Sequence, residues 1–335
     1  MMLKRLSLSI CTLCLSLGLV SPAAAQQSAA TPTPPPDAPT AGPTNTPEVA
    51  PSSEPSPVPP PRPIPNVRLY MTSFNLFRVN PIGLETQNRL VIQKRLFNSE
   101  SVLMRDTFVN AAALIKANPA SLKVGPMFEI QPIALFNLRL SYEYTSFLGT
   151  MGFLQGYANP LNDFSDDALD AREDAAYSTS GHHFLVEPTL QAKVGPIAVR
   201  TKFSIEYWNL SLRDGETTFY DPMLDSLLAG KGWVFTNDSD VVYLSGRWML
   251  GARFSGVWPQ YTEDQGVSDA LKADNSHMRA GPVVSYAFNT DEGTMFNRPT
   301  VLGMVAWYLK HPSRQEAMPY LLLGFSFNSD LMGGR

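Results

Sequence analysis

The stretch "IALFNLRLSYEYTSF" (residues 133–147) alternates with a period of two: Ala134, Phe136, Leu138, Leu140, Tyr142 and Tyr144 fall on one side, and Asn137, Arg139, Ser141, Glu143 and Thr145 on the other. That is a β-strand with two chemically distinct faces. In a soluble sheet the apolar face meets a core and the polar face meets water; in a membrane barrel the apolar face meets lipid and the polar face fills a lumen. Which face is the inside decides the fold.

The same pattern recurs along the chain. In 197–207, Ile197, Val199, Thr201, Phe203, Ile205 and Tyr207 oppose Arg200, Lys202, Ser204 and Glu206, and in 249–258, Leu250, Ala252, Phe254 and Trp258 oppose Arg253 and Ser255. Further period-two segments are 182–194, 240–247, 276–289, 299–310 and 318–328, with weaker ones at 67–77, 87–97, 103–115 and 120–130. The links alternate in length: long through 147–182, tight at Val194-Gly195-Pro196, long through 211–239, tight at Gly246-Arg247 and intermediate through 261–275, after which the beat weakens, with 290–298 longer than a tight turn and 311–317 short for an outer loop. Counting strands from these links predicts twelve, with both termini on the short-turn side; an even count is what single-chain bacterial barrels prefer.

Aromatic residues gather where the rising strands meet the long links: Tyr142, Tyr144 and Phe147, then Tyr207 and Trp208, then Trp258 and Tyr261, then Trp307 and Tyr308. Amphipathic rings collect at the boundary between hydrocarbon and headgroups. The repetition on one side of the beat favours the barrel, with Tyr142, Tyr144, Tyr207, Trp208, Trp258, Trp307 and Tyr308 as its aromatic girdle and the Phe136–Leu138–Leu140 face toward lipid. Proline can open a strand, but Pro126, Pro188 and Pro282 fall inside predicted strands, where each removes one ladder bond, with or without a bulge.

The two ends of the chain read differently. Lys4 and Arg5, the apolar run Leu6–Val20 and Ala23-Ala24-Ala25 form a secretory signal peptide predicted to be cleaved after Ala25. Cys11 and Cys14, the two cysteines of the sequence, lie within it, so disulfides, thiolate metal sites and cysteine nucleophiles are excluded from the mature chain. Residues 26–66 are a predicted disordered tether; 31–66 hold 15 of the 29 prolines and too little apolar surface to offset ordering. Extended at ~3.1 Å per residue it reaches about 100 Å, as a spacer or as the binding segment for a periplasmic partner. Residues 67–335 remain for an all-β, antiparallel up-and-down transmembrane barrel. A formal net charge of −4 gives no basic excess for nucleic acid.

On these features the chain resembles the Gram-negative outer-membrane β-barrel proteins as a class. The resemblance implies an outer-membrane location with the tether in the periplasm, contact with outer-membrane lipid and lipopolysaccharide, and delivery by the barrel insertion machinery. The class commonly ends on an aromatic residue that this machinery reads; here "YLLLGFSF" sets Leu321, Leu323, Phe325 and Phe327 on one face, but "NSDLMGGR" follows.

Inward-facing charges are predicted at Glu129, Arg139, Glu143, Glu187, Arg200, Lys202, Glu206, Arg253 and Arg279. They can line a solute pathway or pair with one another and fill the lumen. The acidic segment with Asp163, Asp166, Asp167, Asp170, Glu173 and Asp174 lacks the glycine and terminal glutamate of a calcium hand and reads as a solvated loop with a short helix; no metal or other cofactor is expected. His182-His183 raises a surface hydrolase with a His/Asp site at the barrel mouth, but adjacent strand residues face opposite ways, and no nucleophile motif accompanies them. The expectation is therefore a non-enzymatic barrel, either a structural or partner-anchoring protein or a narrow channel with a charged lumen.

Overall fold

A computed structural model describes residues 66–99, 101–265, 273–289, 296–314 and 318–332; the predicted signal peptide and nearly all of the tether lie outside them. In chain order the strands are β1 (Val67–Val79), β2 (Gly83–Arg95), β3 (Phe108–Asn118), β4 (Ser121–Ile133), β5 (Phe136–Leu148), β6 (Gly156–Tyr157), β7 (Ser178–Val194), β8 (Ile197–Leu210), β9 (Thr218–Asp221), β10 (Ser226–Ala229), β11 (Lys231–Ser245), β12 (Trp248–Pro259), β13 (His277–Ala287), β14 (Asn297–Lys310) and β15 (Pro319–Asp330). Twelve of them form a closed antiparallel barrel in the order β1-β15-β14-β13-β12-β11-β8-β7-β5-β4-β3-β2, and β10-β9-β6 form a small second sheet. Closure removes every sheet edge that would otherwise need a partner. It is made by β1 against β15, from Tyr70 opposite Asp330 to Val79 opposite Leu321, with Arg68 and Asp330 in a two-pronged ion pair at 3.0 Å.

Alternation decides which way each strand faces. On β5, Asn137, Arg139, Glu143 and Thr145 are buried, while Leu140 and Tyr144 are exposed. β7 repeats this with Glu187 buried and Phe184, Val186 and Leu190 exposed. The barrel is thus polar inside and apolar outside, the inverse of a soluble β-protein.

The predicted count of twelve and the placement of both termini at one end agree with this fold. One boundary differs: β11 starts at Lys231, so the 211–239 link was predicted too long. The run Asn237-Asp238-Ser239-Asp240 reads as a loop by composition, yet Asp238 and Asp240 face inward onto Lys202, Arg200 and Arg253, which leaves them no reason to be in water. The length beat also fails among the first strands, since the termini-end link 96–107 is long whereas 80–82 and 119–120, at the other end, are tight.

Pro126, Pro188 and Pro282 cause no bulge, whereas the register shifts of the β4–β5 and β14–β15 ladders span Pro132 and Pro299 near strand ends. Pro126 sits in a gap of the β4–β5 ladder between Val124–Tyr144 and Met127–Ser141. Pro188 sits between Val186–Ile205 and Thr189–Lys202, and Pro282 between Ala280–Trp307 and Val283–Met304. Pair sums are unchanged across each gap, so a missing N–H costs a rung and leaves the register intact.

Candidate functional site

The inward wall carries a chain of ion pairs. Glu129 accepts from Arg139 at 3.3 Å and from Asn137 at 2.9 Å, and the other side of Arg139 meets Glu187 at 3.5 Å. Lys202 joins Glu187 at 3.1 Å to Asp238 at 3.7 Å. Arg200 and Arg253 converge on Asp240 at 2.6 and 2.5 Å. Higher up, Lys116 donates to Glu143 at 2.5 Å, and His183 sits between Glu143 at 3.3 Å and Glu206 at 2.9 Å with Trp208 stacked on its ring at 3.8 Å. Arg279 lies over the Tyr320 ring at 4.2 Å.

The nine predicted inward charges therefore all point into the barrel, and sequence reading missed their partners Lys116, His183, Asp238 and Asp240. Side chains that lined open water would be touched by it; instead Glu143 is 0%, Arg253 1% and Arg279 2% exposed. The cavity between Glu187, Lys202, Asp238 and Arg279 measures about 10 Å³, at most the room of one water.

Of the predicted girdle, Tyr142, Tyr144, Tyr207, Trp258 and Trp307 face outward with their strands. Trp208 and Tyr308 do not: they are 1% and 3% exposed, inside the barrel. Within the pairs Tyr207-Trp208 and Trp307-Tyr308 a strand can send only one ring out. Outward rings also cluster near the termini end, where Trp248, Tyr286 and Phe288 pack in succession and Phe296 meets Phe327, an aromatic cluster absent from the sequence-based expectation.

The loop end is closed by a hairpin of β9 and β10, which pair from Asp221–Ser226 to Thr218–Ala229. Every residue from Thr218 to Gly230 is buried. A small apolar core of Ala120, Phe153, Tyr157, Phe164, Leu169, Tyr220 and Leu227 knits the hairpin to the neighbouring loop. That loop carries the expected short helix, α1 (Asp166–Ala171).

The turn Asp221–Asp225 binds to the wall through its backbone and the Asp225 carboxylate, while the Asp221 carboxylate braces the turn itself. Asp221 Oδ1 accepts the N–H groups of Met223 and Leu224 at 2.5 and 2.9 Å. Arg78 donates to the carbonyls of Pro222 and Met223, and His277 to that of Leu224 at 2.6 Å. Asp225, at φ +52°, is the centre of the latch. Its carboxylate accepts two bonds from Arg314 at 2.6 and 2.9 Å, one from Tyr220 at 2.7 Å and one from Tyr308 at 3.0 Å. His311 Nε2 lies 3.2 Å away. Burial pushes the Asp225 carboxyl up, but Arg314 and His311 outweigh it and hold it well below the usual carboxylate range. A second arm of Arg314 reaches Asp166 at 3.2 Å, so the acidic loop contributes to the latch. Among the described residues no group of three or more His, Cys, Asp or Glu side chains is arranged to hold a metal ion.

No family model matches the chain, and no curated protein matches it. Solved structures do align with it. Acinetobacter baumannii OccAB1 is 11% identical over 75% of this chain and 59% of its own, with a TM-score of 0.38. The KdgM porin, solved with a disordered oligogalacturonate, is 10% identical over 77% of this chain and 98% of its own, at 0.36. The translocator domain of the autotransporter NalP from Neisseria meningitidis is 10% identical over 79% and 88%, also at 0.36. This chain spans only about three fifths of the OccAB1 length. At these identities and scores the likeness is to a barrel and goes no further.

Proposed function

We propose that the protein is an outer-membrane barrel whose lumen is sealed, a structural or partner-anchoring protein that holds its N-terminal tether in the periplasm. The observation that carries this reading is the filled interior: most inward charges paired side to side, with buried Glu85 and Arg89 outside any ion pair among the described residues, and the mouth occupied by a hairpin latched at Asp225. A narrow channel remains compatible with the same barrel only in a state where that hairpin has moved. The outward apolar band with aromatic rings at both ends supports the membrane location, and with it contact with lipopolysaccharide at the loop end and passage through the insertion machinery. The tether is long enough to engage a periplasmic partner at a distance from the membrane.

The test is planar-bilayer conductance of the purified full chain at neutral pH, run beside heat-modifiable gel migration as a check of folding. Silence with intact folding is expected. Steady open conductance of the wild-type protein would overturn the sealed reading, and recovery as a soluble periplasmic protein would overturn the location.

The hydrolase alternative has one observation in its favour. Ser313 Oγ lies 3.3 Å from Nδ1 of His311, whose Nε2 faces Asp225, a Ser, His and Asp in series at the barrel mouth. The chemistry is poor for catalysis. Nδ1 already accepts the backbone N–H groups of Ser313 and Arg314 at 3.1 Å each, the Asp225 charge is taken up by Arg314, and the imidazole is fully buried. At His183 both ring nitrogens face carboxylates, leaving none for a hydroxyl. Failure of a fluorophosphonate probe to label the folded barrel is the expected result.

A further inference from the structure

We propose that two copies of this chain associate side by side in the membrane through the outward faces of β1 and β2; the proposal rests on the membrane reading above. Nearly the whole outward band is apolar, but on these two strands it carries half-buried Asn75, Thr86 and Asn88, beside Ser73, which is 5% exposed. Their register makes them one patch: Asn75 stands opposite Thr86, and Ser73 opposite Asn88. They lie on the side of β2 that exposes Leu84, Leu90 and Ile92, while Glu85, Gln87 and Arg89 on the other side are buried.

The hydrogen bonding of the patch is incomplete. Asn75 donates to Ser73 at 3.3 Å and Asn88 to Thr86 at 3.0 Å, and the carbonyl end of each amide has no partner among the described residues. In hydrocarbon there is no water to supply one. A second outward polar group, on β8 and β11, shows what a self-sufficient arrangement looks like. There Thr201 and Ser239 bond at 2.9 Å, Ser239 bonds the Asn237 carbonyl at 2.9 Å, and the Asn237 amide donates to Thr201 and to the Lys202 backbone carbonyl at 3.0 and 3.1 Å. That group needs nothing further.

A second copy is the occupant that matches the open patch. A two-fold axis along the membrane normal keeps both barrels in the same orientation and sets the patch against itself, so amide and hydroxyl groups meet amide and hydroxyl groups at the same membrane depth. The surroundings permit close approach. The next strand presents the small side chains Ala111 and Ala113, and on the other flank Asn75, Phe77, Leu84, Leu323 and Phe325 border a depression of about 220 Å³.

The experiment uses the full chain in lipid nanodiscs and in native membranes. Asn88→Cys is expected to form a homodimer with a short bifunctional thiol cross-linker, and Asn237→Cys is not. Asn75→Leu combined with Asn88→Leu is expected to keep heat-modifiable folding and weaken association by at least about tenfold, whereas Asn237→Leu with Ser239→Val leaves it unchanged. A membrane-inserted wild type that stays monomeric, a dimer indifferent to the Asn75/Asn88 pair, or an Asn88→Cys adduct to a different protein would overturn the proposal. Loss of the protein from the membrane fraction would instead overturn the location on which it rests.

Discussion

Asp225→Asn isolates the charge of the latch from its shape. Asparagine tolerates a positive φ as well as aspartate does, and its amide oxygen can still accept from Tyr220, so the turn keeps its geometry and loses its anion. What remains is Arg314, 4% exposed at its side chain, with Asp166, 59% exposed, as its other carboxylate partner. Breaking a buried ion pair on one side costs about 3–5 kcal/mol, and the surviving contact to Asp166 puts this case at the low end, about 3 kcal/mol. The cost falls on hairpin opening and not on the barrel, whose twelve-strand ladder is untouched.

Hairpin opening can be read by chymotryptic cleavage at Phe219, Tyr220, Leu224 or Leu227, all 5% exposed or less. Where reclosing is faster than cutting, the rate follows the open population, so Asp225→Asn should be cut about 10² times faster than the wild type. Adding Arg314→Met removes the stranded cation and should return most of the protection. Equal cleavage of wild type and Asp225→Asn under such conditions would refute the assignment of Asp225 as the latch.

The latch should also be insensitive to mild acid: a carboxyl held below its ordinary pKa gives its stabilisation in full above the ordinary value, 3.8, and loses it only as pH falls through the depressed one. Asp221, which burial pushes up despite Lys123 and two backbone N–H groups, works in the opposite sense, because its ionisation opposes folding and acid relieves that cost; cleavage rates at pH 7 and about pH 4.5 should agree within a few-fold. Leu138→Arg, on the outward face of β5, should lower barrel stability by about 2–4 kcal/mol in a lipid refolding titration. Asn137→Arg should cost about 1–3 kcal/mol for a different reason, overpacking beside Glu129; a free lunge of the new side chain into open lumen, at no cost, would contradict the filled interior. For orientation, single cysteines at Asp166 and Asp214 should react with an impermeant reagent on intact cells and those at Arg247 and Ala41 should not. Asp225, though in an outer link, should stay unlabelled in the folded protein because it is 1% exposed.

The barrel was legible because its signal is local: a strand reports its two faces every second residue, and twelve repetitions compensate for weak individual segments. The inward charges were legible for the same reason, since Arg139 and Glu143 differ from Leu138 and Leu140 by parity alone. Parity applied consistently also assigns Trp208 and Tyr308 to the inside, as it does His183. The latch was not legible. Asp225 and Arg314 are 89 residues apart, and nothing periodic marks a loop residue that folds back into a mouth built by other strands. Asp238 and Asp240 were lost between these extremes, because a polar run inside a strand has the composition of a loop until its partners on β8 and β12 are known.

The ion pairs have a consequence for assembly. Glu129–Arg139, Arg139–Glu187, Glu187–Lys202, Lys202–Asp238 and Asp240–Arg253 each join a strand to the next barrel strand in the chain, and none of these five spans the lumen. A growing sheet can therefore enter the bilayer two or three strands at a time with these charges already neutralised by the preceding strand, before the barrel has closed. Circular permutation at the exposed Gly246-Arg247 turn would preserve the first four of those sequential neighbours and turn the fifth, Asp240–Arg253, into a contact across the closing seam. Excising β7 and β8 together would remove Glu187 and Lys202, leaving Arg139 with Glu129 alone and Asp238 without its cation. The order of strands in this chain is thus also an order of charge compensation, and it constrains which rearrangements of the sequence could still be inserted.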